Sequence, residues 1–147
     1  MDLSYQEKSI LGSLVAMVVV YSIYFAGTLR DMGRGDFGGS SLGRLILTVI
    51  AIVVIEIMYH IALAIEGGVE RKDERDILIE CKAYRNGYFT LASGAGLVIT
   101  YFIVAGLAGA TRIPLTPFLA VNLVLLFMVI AELMKSLTQL FYYRRGV

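Results

Sequence analysis

Two ionisable side chains lie inside a long apolar segment of this chain. Glu56 and His60 are four residues apart, so a helix places both on one face, a turn apart. A charged carboxylate at the centre of a bilayer costs at least about 2.5–3.5 kcal/mol. Because the apolar runs contain no Lys or Arg that could neutralise Glu56, we expect this residue to be protonated or hydrogen-bonded inside the protein.

The Glu56–His60 pair has two interpretations, and the sequence leaves both open. In the first, Glu56 titrates and His60 relays, which makes the pair a candidate proton or cation site. In the second, a neutral acid and an imidazole join helices by hydrogen bonds. The partners of Glu56 that we expect from depth are His60, Tyr21, Thr100, Tyr101 and Asn122.

Metal or haem binding is a further alternative for the same residues. A haem held by His60 needs a second ligand or a second copy. Glu132 lies near the end of its own apolar run, so we expect it at a different depth from Glu56. The single cysteine, Cys81, excludes an internal disulfide and a Cys-rich cluster within one chain. We therefore predict no metal ligand set and no cofactor.

Enzymatic chemistry is also not predicted. The chain has no HExxH, CxxC or phosphate-binding glycine loop and no recognisable Ser-His-Asp set. We assign no catalytic residue and expect a protein that is not an enzyme. The formal net charge of +1 gives no electrostatic footprint for nucleic acid.

Four apolar runs must position these side chains. The chain has 147 residues, of which 58% are hydrophobic, whereas a soluble domain has about 45–50%. The runs cover residues 10–27, 45–65, 88–110 and 117–134, near the roughly 20 residues that a membrane-spanning helix needs. Only helices and closed barrels satisfy their backbone in lipid. The fold class predicted is an all-α integral membrane protein, a single domain with four transmembrane helices.

Local sequence signals predict where the helices begin, where a loop lies and where helices contact each other. A Ser4-x-x-Glu7 capping box predicts a helix start, Thr116-Pro117 predicts another, and the glycine-rich segment 31–43 predicts a loop. Small residues at four-residue spacing in span three predict a close helix contact. They are Ala92, Gly96 and Thr100.

Orientation follows from the distribution of Lys and Arg. With four spans, both termini share a side with segment 66–87. That side carries nine of the thirteen basic residues, so the positive-inside rule makes it cytoplasmic. The nine are Lys8, Arg71, Lys72, Arg75, Lys82, Arg85, Lys135, Arg144 and Arg145.

The charged segment 66–87 is predicted to start a helix. Asp73 can cap it, and Glu74 and Asp76 fall in the first turn, where the helix dipole favours acids. No Pro or Gly follows until Gly87. We therefore expect helix three to begin near Asp73 and to project into the cytoplasm before it enters the membrane.

An apolar stripe runs along this helix, and its charges separate to either side. Ile77, Cys81, Tyr84 and Tyr88 have the 4-3-4 spacing of coiled-coil core positions. Parallel pairing of two copies places Glu80 beside an Arg85, whereas antiparallel pairing opposes like charges. Alternatively, the stripe packs on an extension of the protein's own helix two or on its N-terminal segment and the charges are solvated, since two heptads are short for a coiled coil.

The string DERDILIECKAYRNGY resembles a segment of a family of uncharacterised small bacterial membrane proteins with four predicted spans. Segment 5–9 is similar to that family's N-terminal entry. The resemblance implies the four-span layout and the bacterial inner membrane with both termini cytoplasmic. It does not indicate any particular activity. The matching residues are Asp73, Glu74, Arg75, Asp76, Ile79, Glu80, Ala83, Arg85 and Tyr88.

Two functions are consistent with these patterns. The leading hypothesis is an inner-membrane protein that acts through assembly, as a homodimer or with another membrane or cytoplasmic protein. Its candidate binding residues are Asp73, Glu74, Arg75, Asp76, Glu80, Arg85 and Tyr88. The alternative is a small proton-coupled transporter or permeation unit centred on Glu56. A cavity that reaches Glu56 favours transport, and a filled interior favours assembly.

Overall fold

The structure, a computed structural model, describes residues 4–35, 39–67, 73–108 and 116–145. This part of the chain forms four helices, α1 (Tyr5–Gly33), α2 (Gly39–Gly67), α3 (Glu74–Ala108) and α4 (Pro117–Arg145). Each is long and apolar enough to cross a membrane. The predicted all-helical class with four candidate spans is therefore confirmed. The projection of α3 into the cytoplasm remains a prediction.

The helix starts follow the predicted caps. The Ser4 hydroxyl accepts a hydrogen bond from the Glu7 backbone N–H at 3.2 Å, and the Glu7 carboxylate accepts one from the Ser4 N–H at 3.1 Å. Asp73 and Asp76 form the same reciprocal pair at the start of α3, at 2.7 and 3.0 Å. The start at 116–117 is also confirmed. These caps satisfy backbone donors that the first helical turn leaves unpaired.

The prediction of a loop over residues 31–43 is wrong for most of that segment. Helix α1 continues to Gly33, and α2 already begins at Gly39. An ion pair between Asp31 and Arg44, 2.6 Å apart, joins the two helix ends and favours this extension. Gly35 then ends the first helix with a positive φ of 76°, a conformation that glycine adopts without steric cost.

The helices pack in the order α2–α1–α4–α3. Among the described residues, α2 packs only against α1, and α3 packs only against α4. Large apolar side chains on the outer helices are consequently exposed, such as Leu47 and Ile65 on α2. Such a surface suits contact with lipid, or with another protein inside the bilayer.

Close packing of α3 on α4 depends on two glycines. Ile79 and Ala83 are completely buried at this contact face. A Cβ atom at Gly94 would overlap the Phe127 ring, and one at Gly87 would lie 3.2 Å from a backbone oxygen of α4. The observed approach therefore requires glycine at position 94, whereas a Cβ at position 87 would require a shift of a few tenths of an ångström.

The small residues that the sequence predicted to make a close helix contact lie on a different face of α3. Ala92, Gly96 and Thr100 are exposed, and a Cβ at Gly96 would meet nothing within 4 Å. The prediction that they make the close helix contact is wrong within this chain. Their four-residue spacing matches the rule, but the face that meets α4 is the one with Gly87 and Gly94.

Candidate functional site

Glu56 and His60 lie side by side on the face of α2 that meets α1. The Ser13 hydroxyl of α1 donates to Glu56 Oε2 at 2.7 Å. His60 Nε2 lies 3.4 Å from that same oxygen and 3.4 Å from Ser13 Oγ. The three groups thus form one polar cluster, in which the Glu56 and His60 side chains keep 27% and 47% of their exposure.

A close approach of α1 and α2 fixes the position of this cluster along the two helices. Gly12 lies directly against Tyr59, since a Cβ there would overlap the tyrosine ring. The Tyr59 hydroxyl donates to the backbone oxygen of Lys8 at 2.6 Å. Because Gly12 precedes Ser13, this contact holds the serine at the level of Glu56.

A cavity of about 300 Å³ adjoins the cluster, between α1, α2 and α4. It offers space for several water molecules, since each occupies roughly 30 Å³ in the liquid. Glu56, His60, Ser9 and Ser13 contribute to the walls on the side of α1 and α2. Helix α4 contributes the polar residues Glu132, Lys135, Ser136 and Gln139.

Both Glu132 and Glu56 line this cavity, although the sequence predicts that they lie at different depths. Helix α4 continues to Arg145, so at 1.5 Å per residue Glu132 lies about 20 Å from its end. Glu56 lies about 16 Å from the end of α2 at Gly67. The prediction placed Glu132 near the cytoplasmic end of helix four, whereas α4 continues to Arg145.

The second charged pair of the cavity belongs to α4. Lys135 forms the predicted ion pair with Glu132, three residues earlier on the same helix. The Lys135 ammonium also lies 5.0 Å from the centre of the Tyr84 ring of α3. Within the ranges that the structure describes, no three His, Cys, Asp or Glu side chains are placed to hold a metal ion.

A separate polar group lies farther along α1. The Tyr24 hydroxyl donates to Asn122 Oδ1 at 2.7 Å, and both residues are buried. Thr28 follows, 3% exposed, and in the described part of the chain its hydroxyl has no hydrogen-bond partner. The Asp31–Arg44 ion pair completes this group.

Of the five expected partners of Glu56, only His60 lies beside it. Asn122 pairs with Tyr24 instead. Thr100 and Tyr101 belong to α3, which does not pack on α2, and Tyr21 lies about 12 Å along α1 from Ser13. Depth along a helix, the basis of the prediction, gives no information on which helices are neighbours.

The charged motif forms a different polar region, at the ends of three helices. A cavity of about 280 Å³ joins the start of α1, the start of α3 and Tyr143 near the end of α4. The ends of the described chain therefore lie beside the start of α3, as predicted. Burial, a hydrogen bond to Asp76 and the nearby carboxylates of Glu80 and Asp73 raise the pKa of the Tyr143 hydroxyl. The lining residues are Ser4, Gln6, Glu7, Asp73, Arg75, Asp76 and Tyr143.

The candidate binding residues of the charged segment do not all lie together in the structure. Asp73, Arg75 and Asp76 line this terminal cavity. Glu74, Arg85 and Tyr88 are exposed on α3, and Glu80 is half-buried. No motif residue lines the Glu56 cavity. The two candidate regions from the sequence are therefore separate in space.

Four polar wall residues of the Glu56 cavity were not identified from the sequence, namely Ser9, Ser13, Ser136 and Gln139. Their only signal is the spacing of isolated polar residues, with Ser9 four before Ser13 and Glu132 four before Ser136. Comparison with protein-family models, curated proteins and solved structures finds no match for this chain. Functional inference therefore rests on the geometry of the Glu56 cavity and of the charged helix ends.

Proposed function

We propose that this protein is a small proton-coupled membrane transporter in which Glu56 binds and releases the proton. The cavity of about 300 Å³ beside Glu56 and His60 is the observation that supports the proposal. A filled interior would favour the alternative in which the same pair only joins helices. Ionisable residues within spans that face a polar cavity are typical of ion pathways.

The cluster contains the groups that proton transfer requires. A carboxyl group accepts and donates a proton, and an imidazole can do both at once through its two nitrogens. The 3.4 Å separation of Glu56 and His60 needs little change to become a transfer distance. The ion pair of Lys135 with Glu132 also lines this cavity.

The residues that line the cavity extend toward one end of the helices. Ser9 and Gln139 extend the cavity toward the end that carries the chain termini. Toward the opposite end, about 16 Å of α1 separates Ser13 from Tyr24, where the Tyr24–Asn122 bond closes the helix contact. The terminal end is the cytoplasmic one under the positive-inside rule, in a bacterial inner membrane.

One-sided access to the cavity can be measured with a thiol at Ser13. In a Cys81→Ser background, we expect Ser13→Cys to react with a membrane-impermeant maleimide applied to the cytoplasmic face. We expect no reaction above background from the opposite face. The physical reason is that the reagent needs a water-filled path to the thiol, and the proposal places that path at the end of the helices that carries Ser9 and Gln139.

Val15→Cys in the same background is the matched control. Val15 lies two residues away on the exposed apolar face of α1, so a thiol there meets lipid rather than the cavity. Equal labelling of the two variants, or labelling of Ser13→Cys from neither face, would contradict a water-accessible Glu56 site.

A further inference from the structure

The charged half of α3 presents an apolar stripe that the described part of this chain leaves uncovered. Ile77, Tyr84 and Tyr88 are 51%, 54% and 68% exposed, and Cys81 is exposed between them. The face of α3 that packs on α4 is a different one. Within the described residues, α3 packs only on α4, so neither the described part of α1 nor that of α2 covers the stripe.

The stripe is longer than the sequence pattern suggested. Leu91, which is 38% exposed, and Ala95, also exposed, continue the same 3-4 spacing into the apolar part of α3. Together the positions cover residues 77–95, close to three heptads. A groove of about 250 Å³ between α3 and α4 lies beside the stripe and is lined in part by Tyr84, Tyr88 and Leu91.

We propose that two copies of this chain pair in parallel along this stripe. A two-fold axis along the membrane normal gives both copies the same orientation and makes one surface serve both sides of the contact. The stripe residues of one copy then project toward the groove of the other, as in knobs-into-holes packing. The stripe contributes no residue to the Glu56 cavity, but Glu132 and Lys135 line both that cavity and the groove.

Charge complementarity identifies a second copy as the occupant. Glu80 and Arg85 flank the stripe on opposite sides and are five positions apart, the spacing that joins neighbouring helices in a parallel coiled coil. Two-fold symmetry makes this pairing occur twice. An antiparallel mate would oppose acid to acid and base to base, so the pattern also selects the parallel arrangement.

The only cysteine of the chain tests the pairing directly, since Cys81 lies in the stripe and faces its counterpart across the axis. Full-length protein in its membrane is treated with copper phenanthroline and oxygen, which accept two electrons and two protons from two thiols as one S–S bond forms. We expect a covalent species of twice the chain mass that reductant reverses and that Cys81→Ser abolishes. Absence of that species would overturn the proposal.

Adjacent positions provide the matched control in a Cys81→Ser background. Tyr88 and Phe89 are 68% and 61% exposed, but only Tyr88 lies in the stripe. We expect Tyr88→Cys to cross-link severalfold faster than Phe89→Cys. Equal rates would indicate random collision, and a product whose mass fits another protein would indicate a different partner. Either result would overturn the pairing of two copies.

The charge pairing is tested by reversal and exchange. Glu80→Lys is expected to lower the cross-linked yield at Cys81 severalfold, because it places a lysine beside Arg85 of the second copy. Adding Arg85→Glu is expected to restore the yield, since the exchanged charges again attract. A double variant that cross-links no better than Glu80→Lys alone would overturn the parallel register.

Discussion

Glu56→Gln is expected to slow proton movement through this protein by roughly 10²-fold or more, the contribution typical of one positioned proton donor or acceptor. Glutamine has nearly the same size, and its amide oxygen can still accept the hydrogen bond that Ser13 donates at 2.7 Å. Packing of α1 on α2 should therefore persist while the exchangeable proton is lost. Initial rates are measured in vesicles with a trapped pH-sensitive dye and an imposed membrane potential.

Two controls separate loss of the proton site from loss of the fold. Glu56→Asp keeps a carboxyl group and should retain part of the rate, whereas Glu74→Gln changes an exposed acid outside the cavity and should retain all of it. A Glu56→Gln protein that moves protons as fast as the unmodified chain would refute the role of Glu56.

Gly94→Ala is expected to have the largest effect on stability. Its new methyl group would overlap the Phe127 ring, so α3 and α4 must separate or repack. Overpacking of this kind typically costs about 1–3 kcal/mol. The gain in helix propensity from replacing glycine offsets at most about 1 kcal/mol. Unfolding in detergent, followed by circular dichroism, measures the difference.

Gly96→Ala is the matched control, two residues along the same helix. A Cβ there meets nothing within 4 Å, so only the propensity gain remains and the variant should be as stable as the parent or more so. If both substitutions changed stability equally, Gly94 would not lie on the packing face of α3.

The elements of this fold could be predicted because their signals are local. Ser4 with Glu7, and Asp73 with Asp76, cap helices through residues three apart, and each apolar run is visible without knowledge of its neighbours. The extension of α1 to Gly33 could not be predicted. It accompanies an ion pair between Asp31 and Arg44, which lie thirteen residues apart on different helices.

The neighbours of each helix could not be predicted because these helices are apolar on most faces. In a soluble protein one apolar stripe marks the face that packs, whereas lipid accepts apolar residues on every side. Gly94 and Gly96 illustrate the consequence, since the sequence alone gives no reason to choose the first as the contact with α4. Ser136 and Gln139 were missed as wall residues of the Glu56 cavity for the same reason, since they lie on α4.

The proposed function requires that the Glu56 carboxyl exchanges its proton with water, and infrared spectroscopy of the full-length protein in lipid measures this exchange. We predict a band of a protonated carboxyl group that Glu56→Gln removes. In the unmodified protein, this band should shift rapidly in deuterated water and disappear as pH rises. A Glu56 band that neither exchanges nor responds to pH in the folded protein would contradict a proton-transfer role and would assign the residue to joining helices.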